Sequence, residues 1–385
     1  MAELISAQDS SGYRARARRR ATVVAASLAS LLVAGSAVAA SWSAPVALSS
    51  GDVFFGNDLV TLSSTRAVSV FTESGTPDQL FVSRTTNGGG SWTAAAPLGA
   101  GSSPQLAGHG MNVDLVFNQS NGRVRYARST DGGVTFGPSV ALSPAGRYAW
   151  WPNVGRGADG TVAVIYEDVV NGNVYVRVSH DGGLSFDPAD LLTQNGDESG
   201  LDAAVGDGVI YAAYTTEGSR VRVRRSTDGG ATWRAAAKIT NQHLYGSVSL
   251  VAAGTHAYVA FTDPNDFENF GEVKYRRTTN SGASWSGKIN LAPHEWSTGE
   301  PDLGLHGGVL RAVFVRCTPE WDICESDRSY YRQSNTGTTW GAPQRITPND
   351  LWYGWSANVG AHKAIVTYLG EDETGDFLYA RTRMP

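Results

Sequence analysis

A short motif recurs along this chain at nearly even intervals. A Ser or Thr stands directly before a Trp or Phe, and a Leu or Ile follows six residues after the aromatic. The aromatic residues of the seven pairs are Trp42, Trp92, Phe136, Phe186, Trp233, Trp285 and Trp340. The steps between them are 50, 44, 50, 47, 52 and 55 residues. Such a regular frame predicts one structural unit of about fifty residues, repeated around a ring or along a solenoid.

The first forty residues resemble an export signal. Five Arg residues between positions 14 and 20 precede an apolar stretch over residues 21–40, which ends in the small-residue triplet Ala37-Val38-Ala39. We expect cleavage near Ala39 or Ala40, which leaves residues 41–385 as one secreted domain. The alternative is a retained anchor, because about 20 apolar residues can span a bilayer.

Charge and cysteine usage restrict the partners of the remaining chain. Residues 41–385 carry 26 basic and 34 acidic side chains, a formal charge of −8. This balance argues against nucleic acid or an anionic membrane as the partner, and we expect a monomer. The two cysteines, Cys317 and Cys324, lie close together in sequence, and in an exported protein they predict a local disulfide rather than a metal site. We expect neither a metal ion nor a cofactor.

Six of the seven units carry a Gly-rich segment just before the aromatic. Its pattern is S/T-x-D/N-x-G-x-S/T-W/F, and we call these segments the box turns. Their Asp or Asn residues are Asn87, Asp131, Asp181, Asp228, Asn280 and Asn335. The acidic side chain accepts nearby backbone N–H groups and Gly supplies a positive φ, so each segment predicts a tight turn between strands. Calcium or phosphate binding is the alternative, but recurrence in almost every unit favours a structural role.

The box turns resemble the Asp-box, or bacterial neuraminidase repeat, of sialidase-like β-propellers. The resemblance covers nearly all of residues 41–385 and implies an all-β fold. No Arg-Ile-Pro motif of the family's sialidases is present, so no catalytic residue of those enzymes is assigned to a position here.

Strand patterns around the turns agree with this fold class. An alternating strand such as residues 221–225 precedes each turn, and two apolar strands precede that one. Each unit therefore predicts a four-stranded antiparallel blade. We count seven blades, the last one split: after Ile346 the chain supplies three strands, and residues 41–48 supply the fourth. A six-bladed ring is the alternative.

Loops on the side opposite the box turns are the expected location of function, because binding residues concentrate on loops held by a rigid scaffold. The six Trp residues outside the repeat frame all fall there, among carboxylates, Arg and His. Such a mixture suits a sugar, whose C–H faces stack on aromatic rings. The candidate ligand-binding residues are Arg147, Tyr148, Trp150, Trp151, His294, Glu295, Trp296, Arg316, Trp321, Trp352, Tyr353 and Trp355. Alternatively, these Trp residues cap the blades and fill the end of the central channel.

Three functions remain open. A secreted glycan-binding propeller needs stacking aromatics and no carboxylate pair. An exo-acting glycoside hydrolase needs two carboxyl groups about 5–5.5 Å or 6.5–9.5 Å apart, and one with a raised pKa. Its candidate acids are Glu167, Asp168, Glu300, Asp302 and Glu320. A protein-interaction platform would present a flat face instead.

Overall fold

A computed structural model gives the fold. It describes residues 41–216, 218, 220–241, 247–264, 271–293, 297–317, 319–320, 323–324, 328–348, 357–372 and 375–384. For residues 54–55, 197–199, 264, 297, 317, 319–320, 323–324 and 371–372 only the backbone is described. No helix in this part of the chain is long and apolar enough to cross a bilayer.

Short strands make up nearly all the regular structure. The strands of the first half are β1 (Val46–Ala47), β2 (Val53–Thr61), β3 (Ala67–Glu73), β4 (Gln79–Thr85), β5 (Ala96–Ala100), β6 (Ser102–His109), β7 (Asn112–Gln119), β8 (Arg123–Ser129), β9 (Val140–Ala141), β10 (Ala149–Arg156), β11 (Val162–Asp168), β12 (Asn173–Ser179), β13 (Asp190–Thr193), β14 (Gly196–Gly206) and β15 (Val209–Thr216). Those of the second half are β16 (Arg220–Ser226), β17 (Ala237–Lys238), β18 (Val248–Ala253), β19 (His256–Pro264), β20 (Gly271–Thr278), β21 (Ile289–Asn290), β22 (Ser297–His306), β23 (Val309–Cys317), β24 (Pro319–Glu320), β25 (Ile323–Cys324), β26 (Arg328–Ser334), β27 (Gln344–Arg345), β28 (Ala357–Val359), β29 (Ile365–Asp372) and β30 (Gly375–Thr382).

The strands pair into antiparallel sheets of four in sequence order. Four sheets are β2-β3-β4-β5, β6-β7-β8-β9, β10-β11-β12-β13 and β14-β15-β16-β17. Two more sets, β18 to β21 and β22-β23-β26-β27, are joined into a larger sheet through the pair Gly271↔Thr298. The last sheet has the order β1-β30-β29-β28, so its outer strand comes from the other end of the sequence.

Burial differs between strands in a way that follows from packing. The second strand of a sheet is covered on both sides, and all seven residues of β11 are buried. The third strand alternates, as in β16, where Val221 and Val223 are buried between more exposed arginines. Hydrophobic clusters join one sheet to the next: Ile165 and Ala203 belong to the same cluster. The sheets therefore pack face to face, with the core divided among their interfaces.

The box turns join the third and fourth strands of their sheets through one hydrogen-bond pattern. Asp131 Oδ1 accepts the Thr135 N–H at 2.9 Å, and the Thr135 hydroxyl donates to Asp131 Oδ2 at 2.6 Å. The Ser129 hydroxyl donates to the same carboxylate at 2.7 Å and accepts the Gly133 N–H at 2.9 Å. These bonds lower the pKa of Asp131 to about 2. The carboxylate is thus occupied by its own turn.

The turn before Trp340 departs from the prediction, because Asn335 does not take the place of Asp131. The hydroxyl of Thr336 accepts the N–H groups of Thr338 and Thr339 instead, at 3.2 and 3.0 Å. Ser334 takes the place of Ser129 and accepts the Gly337 N–H at 2.9 Å. This turn is one residue shorter than the others, which shifts the side-chain acceptor by one position.

The glycine three residues before the aromatic of each box turn has a positive φ and lies against the preceding sheet. A Cβ placed on Gly183 would come within 1.7 Å of the Tyr126 hydroxyl, and one on Gly133 within 2.9 Å of Val68. The same close approach links the first and last sheets, where a Cβ on Gly89 would lie 2.0 Å from the Thr382 hydroxyl. These glycines are required both for the turn and for the close approach of neighbouring sheets.

The arginines of the third strands hold the sheets together. Arg332 donates from Nε to Gly341 O at 2.7 Å within its own sheet, and from Nη1 to Leu291 O of the preceding sheet at 2.6 Å. Arg177 makes the equivalent bonds to Asp187 O and Leu142 O. These side chains therefore satisfy backbone carbonyls across sheet interfaces.

Candidate functional site

The first strands of successive sheets line one cavity of about 700 Å³. Its wall is formed by segments of β2, β6, β10, β14, β18, β22 and β28. In β10, Ala149 pairs with Asp168, while the box turn lies at the far end of the third strand β12. The first strands therefore begin on the side opposite the box turns. We call that end of the cavity the mouth.

One polar residue occupies the same position in each of these strands. The set, which we call the channel ring, is Asp58, Gln105, Asn153, Asp202, Ser249, Asp302 and Asn358. Several members bond to the next first strand: Asp58 accepts the Leu106 N–H at 2.6 Å, and Asp202 accepts the Leu250 N–H at 2.5 Å. Asp302 accepts the Val359 N–H at 2.8 Å. Polar side chains here link neighbouring sheets around the channel.

Bonds from the last sheet to the first continue this pattern. Asn358 donates from Nδ2 to Asn57 O at 3.0 Å and to Asn57 Oδ1 at 2.5 Å. Asn153 donates to Leu201 O at 3.3 Å in the same manner. Where the ring residue is Asp it accepts a backbone N–H, and at these two Asn residues it donates to a backbone carbonyl. Both residue types therefore link one sheet to the next.

The three ring aspartates influence one another electrostatically. Burial raises the pKa of Asp58 to about 6. Burial and then the charge of Asp58 raise the pKa of Asp302 to about 7. The pKa of Asp202 is also raised, first by burial and then by the charges of Asp302 and Asp58. Backbone N–H bonds to each carboxyl oppose these shifts without cancelling them. The channel thus carries carboxyl groups that exchange protons near neutral pH.

Two residues before each ring position, the chain lines the mouth. The described residues at these mouth positions are Gly56, Ser103, Trp151, Gly200, Ser247 and Glu300. Register shifts mark β-bulges here in several sheets, for example between Trp150 and Asn153 and between Gly299 and Asp302. Four of the residues have positive φ: 91° at Gly56, 52° at Ser103, 53° at Trp151 and 49° at Glu300. Only Trp151 and Glu300 among the described mouth positions carry large side chains.

Positive φ is costly for residues as large as these two. Such conformations cost on the order of 1–3 kcal/mol and concentrate at functional sites. Trp151 is 48% exposed. Glu300 is exposed at the mouth, yet surrounding protein atoms raise the pKa of its carboxyl, and the Ser247 side-chain hydrogen bond opposes that shift only in part. An aromatic face and a carboxyl that holds its proton more tightly than usual are thus fixed on one cavity.

The segment just before β10 presents two more exposed side chains. Arg147 donates from Nη1 to Asp168 Oδ2 at 2.7 Å, and its side chain remains 48% exposed while that of Asp168 is 2% exposed. Tyr148 is 56% exposed and packs over Gly122, where a Cβ would lie 2.7 Å from its ring. A buried carboxylate therefore orients an exposed guanidinium on the same side of the molecule as the mouth.

Glu167 and Asp168 do not form a pair. They are adjacent in β11, so their side chains point to opposite faces of the sheet. Asp168 contacts Arg147, while Glu167 Oε1 lies 2.7 Å from the Cβ position of Gly196 in the next sheet. Both are buried, and neither lines the cavity. The acids that line it in the described part of the chain are Asp58, Asp202, Glu300 and Asp302.

Other predicted residues lie elsewhere. Trp150 pairs with Glu167 across β10 and β11, and Arg316 pairs with Thr298 near the start of β22. Outside the described residues lie His294, Glu295, Trp296, Trp321, Trp352, Tyr353 and Trp355. The side chains of Glu320, Cys317 and Cys324 also lie outside the description, so the disulfide stays a prediction. The box residues Asn87, Asp131, Asp181, Asp228 and Asn280 hold their turns.

Asp58 and Asp202 were missed by sequence reasoning. A signal exists, because each ring residue is polar and is followed by Leu, Val or Ala: examples are Pro104-Gln105-Leu106, Pro152-Asn153-Val154 and Pro301-Asp302-Leu303. The signal is weak because the polar residue alternates among Asp, Asn, Gln and Ser.

Comparison with known proteins supports the fold. No family model matches the chain. In sequence, it is similar to a xyloglucanase from Hypocrea jecorina, 23% identical over 287 residues; the match covers 71% of this chain and only 30% of that protein's length. In structure, it is similar to a lectin from Burkholderia pseudomallei: 13% identity, 86% of this chain and 96% of that one covered, TM-score 0.64.

Two further solved structures are similar to this chain. One is an ulvan lyase, a polysaccharide lyase, at 10% identity, with 88% of this chain and 96% of that one covered and a TM-score of 0.58. The other is the six-bladed β-propeller lectin of Aleuria aurantia, at 10% identity, with 78% and 99% covered and a TM-score of 0.50. At such identities the likeness concerns the fold alone, and that fold is a β-propeller.

Proposed function

We propose that residues 41–385 form a secreted, monomeric, seven-bladed propeller that binds carbohydrate at the mouth of its channel, opposite the box turns. The observation that carries this proposal is the exposed Trp151, held at positive φ over a cavity of about 700 Å³. A flat aromatic face stacks on the C–H face of a sugar ring, while Glu300 and Arg147 offer hydrogen bonds to hydroxyl groups.

Seven blades and a closed ring are supported by three features. Seven first strands each contribute one channel-ring residue. Asn358 of the last sheet bonds to Asn57 of the first. Gly89 of the first sheet lies against Thr382 of the last, as later box glycines lie against their preceding sheets. Closure packs the first and last sheets against each other, and a propeller leaves only short sheet edges. Secretion rests on the Arg-rich and apolar segments of residues 1–40.

The names of the similar proteins agree with a glycan as partner. The xyloglucanase, the ulvan lyase and the two lectins are carbohydrate-active or carbohydrate-binding by their descriptions. Because this chain spans less than a third of the xyloglucanase, that enzyme's activity is not carried over. Carbohydrate binding by this chain is therefore inferred from its own mouth residues, Trp151 and Glu300.

A glycan array followed by calorimetry with the strongest hit tests the proposal. We expect Trp151→Ala to weaken binding at least about tenfold, because truncating a central aromatic contact costs on the order of 1.4 kcal/mol or more. Leu184→Ala is the matched control, since Leu184 is 74% exposed on a box turn, at the opposite side. Glycan binding that survives Trp151→Ala but is lost in Leu184→Ala would place the site at the box turns and contradict the proposal. An array without any hit would refute carbohydrate binding.

A glycoside hydrolase is the second candidate, favoured by the raised pKa of Glu300. A carboxyl group whose pKa is raised above its ordinary value can act as a general acid. Reporter glycosides should then be cleaved by the wild type, and Glu300→Gln should abolish turnover while binding remains. Glycan binding without cleavage of any reporter glycoside would exclude the hydrolase and support a protein that only binds glycans.

A further inference from the structure

A second cavity, of about 460 Å³, lies between the set β22-β23-β26-β27 and the last sheet. Thr336, Thr339 and Trp340, which belong to a box turn and the residue after it, contribute to its wall. Arg383, the first residue after β30, contributes from the last sheet. The cavity is therefore on the box-turn side of the molecule, opposite the mouth.

The lack of a box turn in the last sheet accounts for this cavity. In β20, the Tyr275 hydroxyl donates to Gly337 O in the box turn of the following sheet at 2.8 Å, and the Trp340 ring meets the Tyr275 ring edge-on. Tyr331 has the equivalent position in β26, and Trp42 meets its ring in the same way. However, β30 and β1 come from opposite ends of the sequence, so no turn joins them over the Tyr331 hydroxyl. The space that a box turn fills elsewhere stays open here.

Hydrogen bonds within the lining occupy its amide oxygens. The Tyr331 hydroxyl donates to Gln333 Oε1 at 2.8 Å, and Arg383 Nη1 donates to the same oxygen at 3.4 Å. Arg383 Nε donates to Gln344 Oε1 at 3.2 Å, and Gln333 Nε2 donates to Asn335 Oδ1 at 3.4 Å. The polar groups that remain for a ligand are mainly donors: the amide N–H groups of Gln344 and Asn335 and further N–H groups of Arg383.

The positive charge at this cavity is not balanced by a carboxylate of the described residues. Neither Arg383 nor Arg311 takes part in an ion pair within that part of the chain. Burial lowers the pKa of Arg311, and the nearby charge of Arg383 adds to that effect. Both guanidiniums stay protonated at neutral pH, because an arginine pKa is far above it. A bound anion would offset the repulsion between them.

We propose that this cavity binds a small organic acid, whose carboxylate pairs with Arg383 and whose polar ring, about the size of one sugar, lies against Trp340. A guanidinium and a carboxylate form strong, charge-assisted hydrogen bonds. The half-buried indole of Trp340 offers an apolar surface, and the hydroxyls of Thr336 and Thr339 offer polar contacts. A volume of about 460 Å³ lies in the range of small-molecule sites, about 300–1,000 Å³. The site does not depend on carbohydrate binding at the mouth.

Calorimetry with D-galacturonate as the probe tests the site. The titrations use Trp151→Ala beside the wild type, so that binding at the mouth is distinguished from binding here. D-galactose has the same ring without the carboxylate, and sulfate is an anion without a ring. We expect Trp151→Ala to bind one galacturonate per chain. Galactose should bind at least about tenfold more weakly because it cannot pair with Arg383, and sulfate should bind more weakly because it cannot contact Trp340.

Two substitutions in the lining test the role of the guanidinium. Arg383→Gln should weaken galacturonate binding at least about tenfold, because a hydrogen bond to a charged group is lost. Gln344→Glu should abolish binding, because the new carboxylate pairs with Arg383 and repels the ligand. Arg234→Gln is the matched control, since Arg234 is exposed after the frame aromatic of another sheet and the same charge is removed.

The second substitution keeps the test valid if the first one disturbs the fold. Arg383 lies over the Tyr331 ring, 5.8 Å from its centroid, whereas Gln344→Glu retains both the guanidinium and the shape of the lining. Galacturonate binding that is absent from Trp151→Ala would overturn the proposal. Equal affinities for galacturonate and galactose, or for galacturonate and sulfate, would also contradict it, as would full binding by Gln344→Glu.

Discussion

At the scale of single residues, two large side chains held at positive φ distinguish the mouth of the channel. Trp151 and Glu300 have positive φ, which is strained for residues with a side chain. Gly56, at the equivalent position in β2, has a positive φ without that strain. An unstrained sequence would have a glycine at each of these positions. Large side chains retained there indicate that the mouth is shaped for something other than stability.

The strain at Trp151 can be measured by comparing two truncations. Both Trp151→Ala and Trp151→Gly remove the indole, but only glycine relieves the positive φ. We expect the glycine variant to be more stable by about 1 kcal/mol in urea unfolding. At Trp150, whose φ is not positive, the order should reverse by about 0.5–1 kcal/mol. Equal stability of the two Trp151 variants would show that this φ carries no strain.

At the scale of elements, the box turn both reverses the chain and contacts the preceding sheet, and the sequence predicted only the first of these roles. The sequence predicted the turn itself, because Asp131 and its neighbours carry the required residue types. It could not predict that the glycine three residues before the aromatic contacts the preceding sheet, since Tyr126 and Gly183 meet only through packing. The sequence pattern also gave Asn335 the role that Asp131 has in its turn. This was wrong, because the turn before Trp340 is shorter by one residue and Thr336 takes that role.

Adjacent glycines in one box turn distinguish the two tasks. Gly182→Ala should cost about 1 kcal/mol, since its Cβ would lie 3.6 Å from the nearest atom and only φ is unfavourable. Gly183→Ala should cost several kcal/mol, because its Cβ would meet Tyr126 at 1.7 Å. Urea unfolding measures both. Similar losses for the two variants would contradict a role for Gly183 at the sheet interface.

At the scale of the whole molecule, the channel ring links electrostatics to pH. The pKa of Asp58 is raised to about 6 and that of Asp302 to about 7, so the folded protein holds protons that the unfolded chain has released. Stability from these groups is fully present below about pH 4 and is lost as pH rises through 6 to 7. The box carboxylates act oppositely: the lowered pKa of Asp131 gives stability that is lost below about pH 4.

We therefore expect maximum stability between about pH 4 and 6, and weaker stability at pH 8. Asp302→Asn should flatten the decline between pH 5 and 8, because it removes one titrating carboxyl while Asn fills the same place at positions 153 and 358. Asp207→Asn, at an exposed position in the turn between β14 and β15, should leave the decline unchanged. Urea unfolding across this range decides; a decline as steep in Asp302→Asn as in the wild type would contradict the prediction.

Which features of the structure could be predicted from the sequence also depends on scale. The repeat frame predicted strands and sheets, since turn chemistry and alternation are local. The sequence predicted that Tyr148 and Trp151 lie opposite the box turns, because aromatic residues outside the repeat frame are easily recognised. Asp58 and Asp202 were not, because their role depends on neighbours in sheets nearly fifty residues away. The rings of His306 and His362 stack against each other, although the two residues are 56 positions apart and share no motif.

The pairing of β1 with β30 has a consequence for how the chain reaches its native state. Thr382 bonds to Ser43 across 339 residues, so the last sheet cannot be completed until almost the entire chain is available. Bringing such distant segments together costs loop entropy, and folds rich in distant pairings form slowly. A circular permutant that joins both ends through a short linker and opens at an exposed loop should therefore refold faster than the natural chain while keeping every native strand pairing.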